Sequence, residues 1–88
     1  MPVANRLGDE GQGLDVAFGG FLTQSRIAIA ATCVRLARWA RELAVAHTRT
    51  RTTFGKPLAS RPAIAFLLAE NATDIEATRQ LSLHAGRR

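Results

Sequence analysis

The stretch from Leu22 to Thr50, LTQSRIAIAATCVRLARWARELAVAHTRT, decides the fold of this chain, because it holds neither glycine nor proline and is rich in alanine. Along it, apolar and small residues recur at intervals of four and three, which places them on one face of a helix. These residues are Ile29, Cys33, Leu36, Ala40, Leu43 and His47. Thr23 or Ser25 can cap the first free amides. The segment therefore predicts one helix on the order of 40 Å long.

The predicted helix is apolar beyond this single stripe. Further apolar residues fall elsewhere on its cylinder, namely Ile27, Val34, Ala37, Ala44 and Val45. A helix of that kind must be covered on more than one side, so one partner helix cannot complete its core. Within the stripe, Cys33 is expected to be a buried small thiol rather than a nucleophile.

The segments before and after this helix break the helical pattern. Met1–Gly20 holds five of the seven glycines, which predicts turns around short extended pieces. On the other side, Gly55 permits a tight reversal, and Pro57 prevents a helix from continuing. We therefore expect an irregular or extended lead and a sharp bend after the long helix.

A second helix is predicted after the bend. Pro62 suits its first turn, with Ser60 or Arg61 near the cap, and Gly86 is a plausible stop. Its apolar face is formed by Ile64, Leu67, Leu68, Ala72 and Ile75. The sequence thus predicts an all-α fold, a hairpin of long helices over residues 22–51 and 62–85 behind a short irregular or extended lead over residues 1–21.

Size and composition narrow the functional classes. A chain of 88 residues buries only about 60 % of its unfolded surface, so we expect it to fold with partners or as part of something larger. One cysteine excludes an internal disulfide, and one cysteine with two histidines offers no set of metal ligands. The charge-free stretches are too short to span a membrane, and the first residues do not resemble a signal peptide, which favours a cytoplasmic location.

The net charge of +5 and the pI of about 11.4 raise the possibility of nucleic-acid binding. The charge is segregated, however: six arginines and one glutamate lie between Arg26 and Arg51, whereas residues 62–85 carry three carboxylates and one arginine. This separation suits helices that lie against each other or against complementary neighbours. One alternative is a small basic module that binds nucleic acid or an anionic surface. The arrangement of the arginines argues against it, because they do not form one stripe with aromatic residues between them. A ligand-free helix pair in an oligomer is another alternative.

One basic cluster has a composition suited to a ligand. Residues 49–56, RTRTTFGK, combine guanidinium groups, hydroxyls and an aromatic ring where the helix gives way to a turn. Arginine can bind a phosphate through two hydrogen bonds, and threonine adds a neutral donor. A basic helix end that balances the negative pole of the helix dipole explains Arg49 and Arg51 equally well. The residues alone leave both interpretations open.

Four blocks of the sequence together resemble the acyl-CoA dehydrogenase family. They are PVANRLGDEGQG at 2–13, RIAIAA at 26–31, RTTFGKP at 51–57 and LAENATDIEATR at 68–79. The resemblance covers nearly the whole chain. It implies the end of the family's middle β-domain over residues 1–21 and, over residues 22–88, the first two helices of the C-terminal four-helix bundle. In the family, other helices and neighbouring subunits cover this surface.

The resemblance also implies a function, the FAD-dependent α,β-dehydrogenation of an acyl-CoA thioester. Arg51, Thr53 and Phe54 match positions that contact the FAD of the adjacent subunit. Arg26 matches a position that helps to hold the acyl-CoA, and Ser25, the residue before it, is a second expected substrate-binding residue. The implied partners are the acyl-CoA substrate and the remaining domains or homologous subunits, with no membrane and no nucleic acid among them.

The catalytic carboxylate of the family has no match in this chain. Most members carry it at a position beyond Arg88, and a minority carry it at the position held here by Ser25. Thr23 also replaces a usual acidic residue, and Pro62 and Ala65 stand where glutamine is common. We therefore expect a fragment of the enzyme that supplies FAD-contacting and interface helices and does not dehydrogenate acyl-CoA by itself.

Overall fold

The computed structural model describes residues 2–88, which form an elongated helical hairpin of 71 × 28 × 16 Å. A 3₁₀ turn at Val3–Asn5 precedes helix α1 (Gly13–Val16), the π-helical segment Ala17–Leu22 and helix α2 (Thr23–Thr50). Strands β1 (Thr52–Thr53) and β2 (Lys56–Pro57), a 3₁₀ turn at Leu58–Ser60 and helix α3 (Pro62–Gly86) complete the chain. The predicted all-α architecture of two long helices is confirmed.

The second helix lies where the sequence predicts it. Pro62 occupies the first turn of α3, where its missing N–H removes no hydrogen bond, and Gly86 is the last helical residue. The helices run antiparallel, so the end of α3 returns to the start of α2. There, a Cβ built on Gly86 would lie 3.7 Å from Cγ2 of Ile27. Among residues 2–88, no helix is long and apolar enough to cross a membrane.

The start of the long helix differs from the prediction. The caps proposed at Thr23 or Ser25 are wrong, because α1, the π segment and α2 follow one another without interruption. Both hydroxyls instead donate to carbonyls one turn earlier, Thr23 to Phe18 at 3.4 Å and Ser25 to Leu22 at 3.1 Å. Since amides at a helix interior already have partners, no cap is needed there.

The glycine-rich lead is also more helical than predicted. Gly8 and Gly11 adopt positive φ, as expected for turns, whereas Gly19 and Gly20 lie inside the π-helical segment. Glycine in a helix is unfavourable by about 1 kcal/mol relative to alanine but does not break it. No strand lies among residues 2–20.

The contact between α2 and α3 is narrow. Among residues 2–88, Val34 is the only buried apolar residue and Thr48 is the only buried polar residue. The face with Ile29, Leu36 and Leu43 points away from α3 and is exposed. Cys33 lies next to Val34, at the edge of the groove between α2 and α3, and is exposed, so its predicted burial is wrong. α3 supplies cover to one side of α2 only, as the apolar excess of α2 predicts.

Candidate functional site

A tight β-hairpin separates the two long helices. Strands β1 and β2 pair antiparallel, Thr52 with Pro57 and Thr53 with Lys56, which leaves a two-residue loop of Phe54 and Gly55. Both loop residues have positive φ, 52° for Phe54 and 77° for Gly55, as in a type I′ turn. The predicted reversal at Gly55 is therefore confirmed, and its form is a hairpin.

Phe54 is held at the tip of this hairpin in an unfavourable setting. Its side chain is 97 % exposed, the most exposed of the large apolar residues described. A left-handed conformation is unfavourable for a residue with a Cβ, by roughly 1–3 kcal/mol, and such strain persists where the surroundings enforce it. An exposed aromatic ring at a strained turn is a feature expected of a surface that contacts a ligand or a partner.

Arg61 ties the hairpin to the start of α3. Its guanidinium donates to the carbonyl oxygen of Thr53 at 2.9 Å and to the hydroxyl oxygen of Thr53 at 3.0 and 3.2 Å. The same group lies 5.5 Å from the centroid of the Phe54 ring, within the range of a cation–π contact. The hydroxyl proton of Thr53 remains free to donate, because its oxygen is the acceptor in these bonds.

Cationic side chains surround the hairpin. Arg51 is the residue after α2, and its amide donates to the carbonyl oxygen of His47 at 2.8 Å while its own carbonyl accepts from Leu58 at 2.9 Å. These two bonds fix its backbone, while the side chain is exposed. With the exposed Arg49 and Lys56 and the half-buried Arg61, the corner forms a positive surface around an aromatic ring.

The two groups of residues singled out in the sequence are far apart. Arg51, Thr53 and Phe54 lie together at the hairpin end of α2. Ser25 and Arg26 lie near its other end, with Ser25 half-buried and Arg26 exposed. A separation of 25 residues corresponds to about 38 Å along a helix, so a single copy does not bring the groups together.

Arg61 is the residue that the sequence reasoning missed at this corner. The sequence places Arg61 near the cap of the second helix, and the family resemblance places it where an aromatic residue is common, but neither predicts a contact with the β-hairpin. The sequence does contain a signal for this contact. Gly55 and Pro57 predict a reversal, which brings the residues after the turn back beside the residues before it. A long cation a few residues beyond such a turn can reach the preceding strand.

Chemistry elsewhere in the described residues is sparse. No group of three or more histidine, cysteine, aspartate or glutamate side chains among residues 2–88 could hold a metal ion. Glu76 accepts from Arg79 at 2.7 and 2.9 Å and from Gln80 at 2.8 Å, and these bonds, Arg79 first, lower the pKa of Glu76 to about 2. This exposed network joins residues of one helix and does not touch the hairpin.

The hairpin fits the group that the sequence resemblance implies. A pyrophosphate needs cationic and neutral donors on an accessible surface, and Arg51, Lys56 and the Thr53 hydroxyl provide both. An aromatic ring system needs an apolar contact, which the exposed ring of Phe54 offers. Neither Arg51 nor Phe54 is enclosed by its own chain, so both remain available to a ligand.

Comparison with known proteins gives a consistent family. Residues 11–88 match the family described as "Acyl-CoA dehydrogenase, C-terminal domain". The chain is 44 % identical over 85 residues to an acyl-CoA dehydrogenase of Bacillus subtilis (strain 168), covering 97 % of this chain and 22 % of that protein. It is 41 % identical over 81 residues to cyclohex-1-ene-1-carbonyl-CoA dehydrogenase of Syntrophus aciditrophicus (strain SB), covering 92 % of this chain and 19 % of that protein.

A mammalian protein matches over a similar length of the chain. The chain is 40 % identical over 79 residues to mitochondrial isobutyryl-CoA dehydrogenase of Bos taurus, covering 90 % of this chain and 19 % of that protein. No solved structure matches significantly. The chain spans about a fifth of the length of these relatives. Because the family match extends over most of the sequence and through both long helices, this chain belongs to the acyl-CoA dehydrogenase family.

Proposed function

We propose that this chain contributes the hairpin end of its long helix to the FAD site of an acyl-CoA dehydrogenase. Arg51 would pair with the pyrophosphate, Thr53 would donate its hydroxyl proton, and Phe54 would pack against the ring system. The single observation that carries the proposal is the 97 % exposure of Phe54 at positive φ, with the guanidinium of Arg61 5.5 Å from its ring centroid and the exposed Arg51 and Lys56 close to it in the chain. In this family, FAD is the ligand that such a surface would contact.

Arg61 orients the site in this proposal without touching the cofactor. Its three bonds to Thr53 hold the last residue of β1, and its cation–π contact limits the positions of the Phe54 ring. Holding the groups in place before binding lowers the entropy lost when the ligand arrives. FAD would supply the hydride acceptor of an α,β-dehydrogenation, whereas this chain supplies binding and orientation.

The acyl-CoA substrate belongs to the same proposal. Arg26 is exposed and could bind a phosphate or carbonyl group of the thioester substrate, with Ser25 as a neighbouring donor. No carboxylate occupies the family's helix-start position, which is Ser25 here, so the proton-abstracting base would come from elsewhere. The boundary near residue 21 between a middle-domain segment and the helical domain, and a cytoplasmic location, stay predictions.

Titration of FAD tests the proposed contact between the β-hairpin and the cofactor. One sample is the full chain alone, and the other is the full chain mixed with the complementary part of a homologous enzyme. We expect Arg51→Gln to weaken FAD binding by roughly tenfold or more, because a charge-assisted contact to phosphate is lost. Arg49→Gln is the matched control, since it removes an equal charge two residues earlier, in the last turn of α2.

The two interpretations of the basic cluster give different results in this titration. If the arginines only balance the helix dipole, both variants lower helicity by circular dichroism to a similar extent and leave FAD binding alike. Equal FAD affinity for both variants would therefore contradict the proposed cofactor contact. With acyl-CoA added, the chain alone should not bleach the flavin absorbance, whereas bleaching would show that it carries its own base.

A further inference from the structure

Two grooves flank the contact between α2 and α3, one on each side of the helical hairpin, and their chemistry differs. On the α2 side, the first is lined mostly by small residues such as Cys33, Ala40 and Ala44, and it holds one arginine and one aspartate. The second, here called the cationic groove, lies toward the open end of the helical hairpin. Its volume of about 470 Å³ is within the range of small-molecule sites.

The floor of the cationic groove is apolar and straight. Ile27, Ala31 and Val34 follow one another along α2, and Leu83, 44 % exposed, lines the groove from α3. Gly86, at the open end, has no side chain that covers this floor. From Ile27 to Val34 the floor extends about 10 Å, because a helix rises 1.5 Å per residue. A long and narrow apolar floor fits a single extended hydrocarbon chain.

Four guanidinium groups line the cationic groove, and no carboxylate does. They belong to Arg35 and Arg38 of α2 and to Arg79 and Arg87 of α3. Among residues 2–88, Arg79 is the only one of the four that forms an ion pair. The carboxylates of Glu42 and Glu76 line the adjoining groove toward the β-hairpin. A cleft with a single sign of charge attracts ligands of the opposite sign, so the cationic groove favours an anion.

Three of the four arginines lie together at the end of the floor nearer the β-hairpin. Arg79 donates to Glu76 at 2.7 Å, and this bond is the largest cause of the lowered pKa of Glu76, to which the charge of Arg38 also contributes. Arg35 lies three residues before Arg38 on the same side of α2. Arg87 is the only arginine that lines the open end. An anionic group is therefore held best among the three arginines, with an attached chain directed toward the open end.

Other occupants match the cationic groove less well. A nucleobase gains much of its binding energy by stacking on an aromatic ring, and no aromatic residue lines this groove. A further helix packs with its axis 8–10 Å from those of its neighbours. The small residues of the first groove allow that approach, whereas long arginine side chains on both rims of the cationic groove obstruct it.

We propose that the cationic groove binds a linear aliphatic carboxylate, a fatty-acid anion of roughly eight to ten carbons. An extended hydrocarbon chain advances about 1.3 Å per carbon, so this length covers the floor. The carboxylate accepts charge-assisted hydrogen bonds from the guanidinium groups, and the chain covers Ala31, Leu83 and Ile27. Neither Ser25, Arg26 nor the β-hairpin lines the groove, so this binding does not depend on the proposed FAD and acyl-CoA contacts.

Isothermal titration calorimetry of the full chain with decanoate, below its micelle-forming concentration, tests the site. We expect one site per chain, and an affinity that rises roughly two- to fourfold per methylene from hexanoate to octanoate. Decyltrimethylammonium has a chain of the same length with a cationic head, and it should bind at least tenfold more weakly. Equal affinity for the two decyl compounds, or no saturable binding of decanoate, would overturn the proposal.

Variants of the rim test the position of the anionic head. The double variant Arg35→Gln with Arg38→Gln should weaken decanoate binding by roughly tenfold or more, because charge-assisted hydrogen bonds are lost. Arg49→Gln with Arg88→Gln is the matched control, since it removes two exposed arginines that do not line the groove. If both double variants weaken decanoate equally, overall charge and not this groove attracts the ligand, and the proposal fails.

A variant of the floor tests the position of the chain. Gly86→Leu places a side chain on the floor, where a Cβ would already lie 3.7 Å from Cγ2 of Ile27. Gly86 is helical and has no positive φ, so the helix tolerates leucine there. We expect decanoate to bind roughly tenfold more weakly and the difference between hexanoate and octanoate to disappear. Gly19→Leu is the control, because a Cβ at Gly19 meets nothing within 4 Å. Unchanged decanoate affinity in Gly86→Leu, with helicity retained by circular dichroism, would contradict the proposed site.

Discussion

The two long faces of α2 differ in what they contain and in what covers them. The inner face packs on α3 through small side chains and buries Val34 to 7 % exposure, together with Thr48. The outer face carries Ile29, Leu36 and Trp39, each more than half exposed. On the side toward α3 the helix carries alanine and valine together with Ile27 and Arg41, whereas Leu36 and Trp39 point outward. Within residues 2–88, α3 therefore covers one side of α2 and leaves the largest apolar side chains of α2 exposed.

Truncation of a buried side chain on the inner face of α2 should have the largest effect on stability. We expect Val34→Ala to lower the free energy of unfolding by about 2 kcal/mol, from lost burial and the cavity left between the helices. Val3→Ala is the matched control, because Val3 is 78 % exposed and should change stability by less than about 0.5 kcal/mol. Urea unfolding at one chain concentration measures both. Equal effects would mean that α3 does not pack on α2 as described.

Replacing a turn glycine and replacing a helical glycine with alanine should change the stability of the chain in opposite directions. Gly55→Ala should destabilise by about 1 kcal/mol, because φ of 77° is unfavourable for any residue with a Cβ. Gly20→Ala should stabilise by up to about 1 kcal/mol, since Gly20 lies in a helical segment and a Cβ there meets nothing within 4 Å. Thermal unfolding followed by circular dichroism measures each change, and a stabilising Gly55→Ala would contradict the hairpin geometry.

The smallest effect should come from the exposed network on α3. The bonds from Arg79 and Gln80 lower the pKa of Glu76 from 4.5 to about 2. A lowered folded-state pKa stabilises above the unfolded value and is lost as pH falls through the folded value, so this contribution is complete above about pH 4.5 and disappears toward pH 2. We expect the parent chain to lose slightly more helicity between pH 5 and pH 2 than Glu76→Gln does.

A matched variant separates this network from general acid effects. Glu70 also lies on α3, but within residues 2–88 its carboxylate forms no hydrogen bond or ion pair. Glu70→Gln should therefore follow the parent chain over this pH range. If Glu76→Gln and Glu70→Gln behave alike, the bonds of Glu76 do not stabilise the helix.

Part of the candidate site was predictable from the sequence. Gly55 and Pro57 require a reversal, and the arginines, threonines and phenylalanine around it were identified by their chemistry. Arg61 was not identified, because its bonds to Thr53 join residues on two sides of the turn and exist only once the hairpin has formed. The cap at Thr23 or Ser25 was predicted wrongly, since local propensity does not reveal that the preceding residues continue the helix through Gly19 and Gly20.

The sequence by itself determined the two long helices, the break between them at Gly55 and Pro57, and the excess of apolar surface on α2. These are properties of local backbone preference and of side-chain periodicity, which neighbouring residues fix. Only the tertiary structure decided which face of α2 meets α3, that Cys33 lies in solvent, and that Arg61 reaches back to Thr53. Such contacts depend on how two distant segments approach each other, and several apolar faces of one helix compete for the same partner until packing selects one.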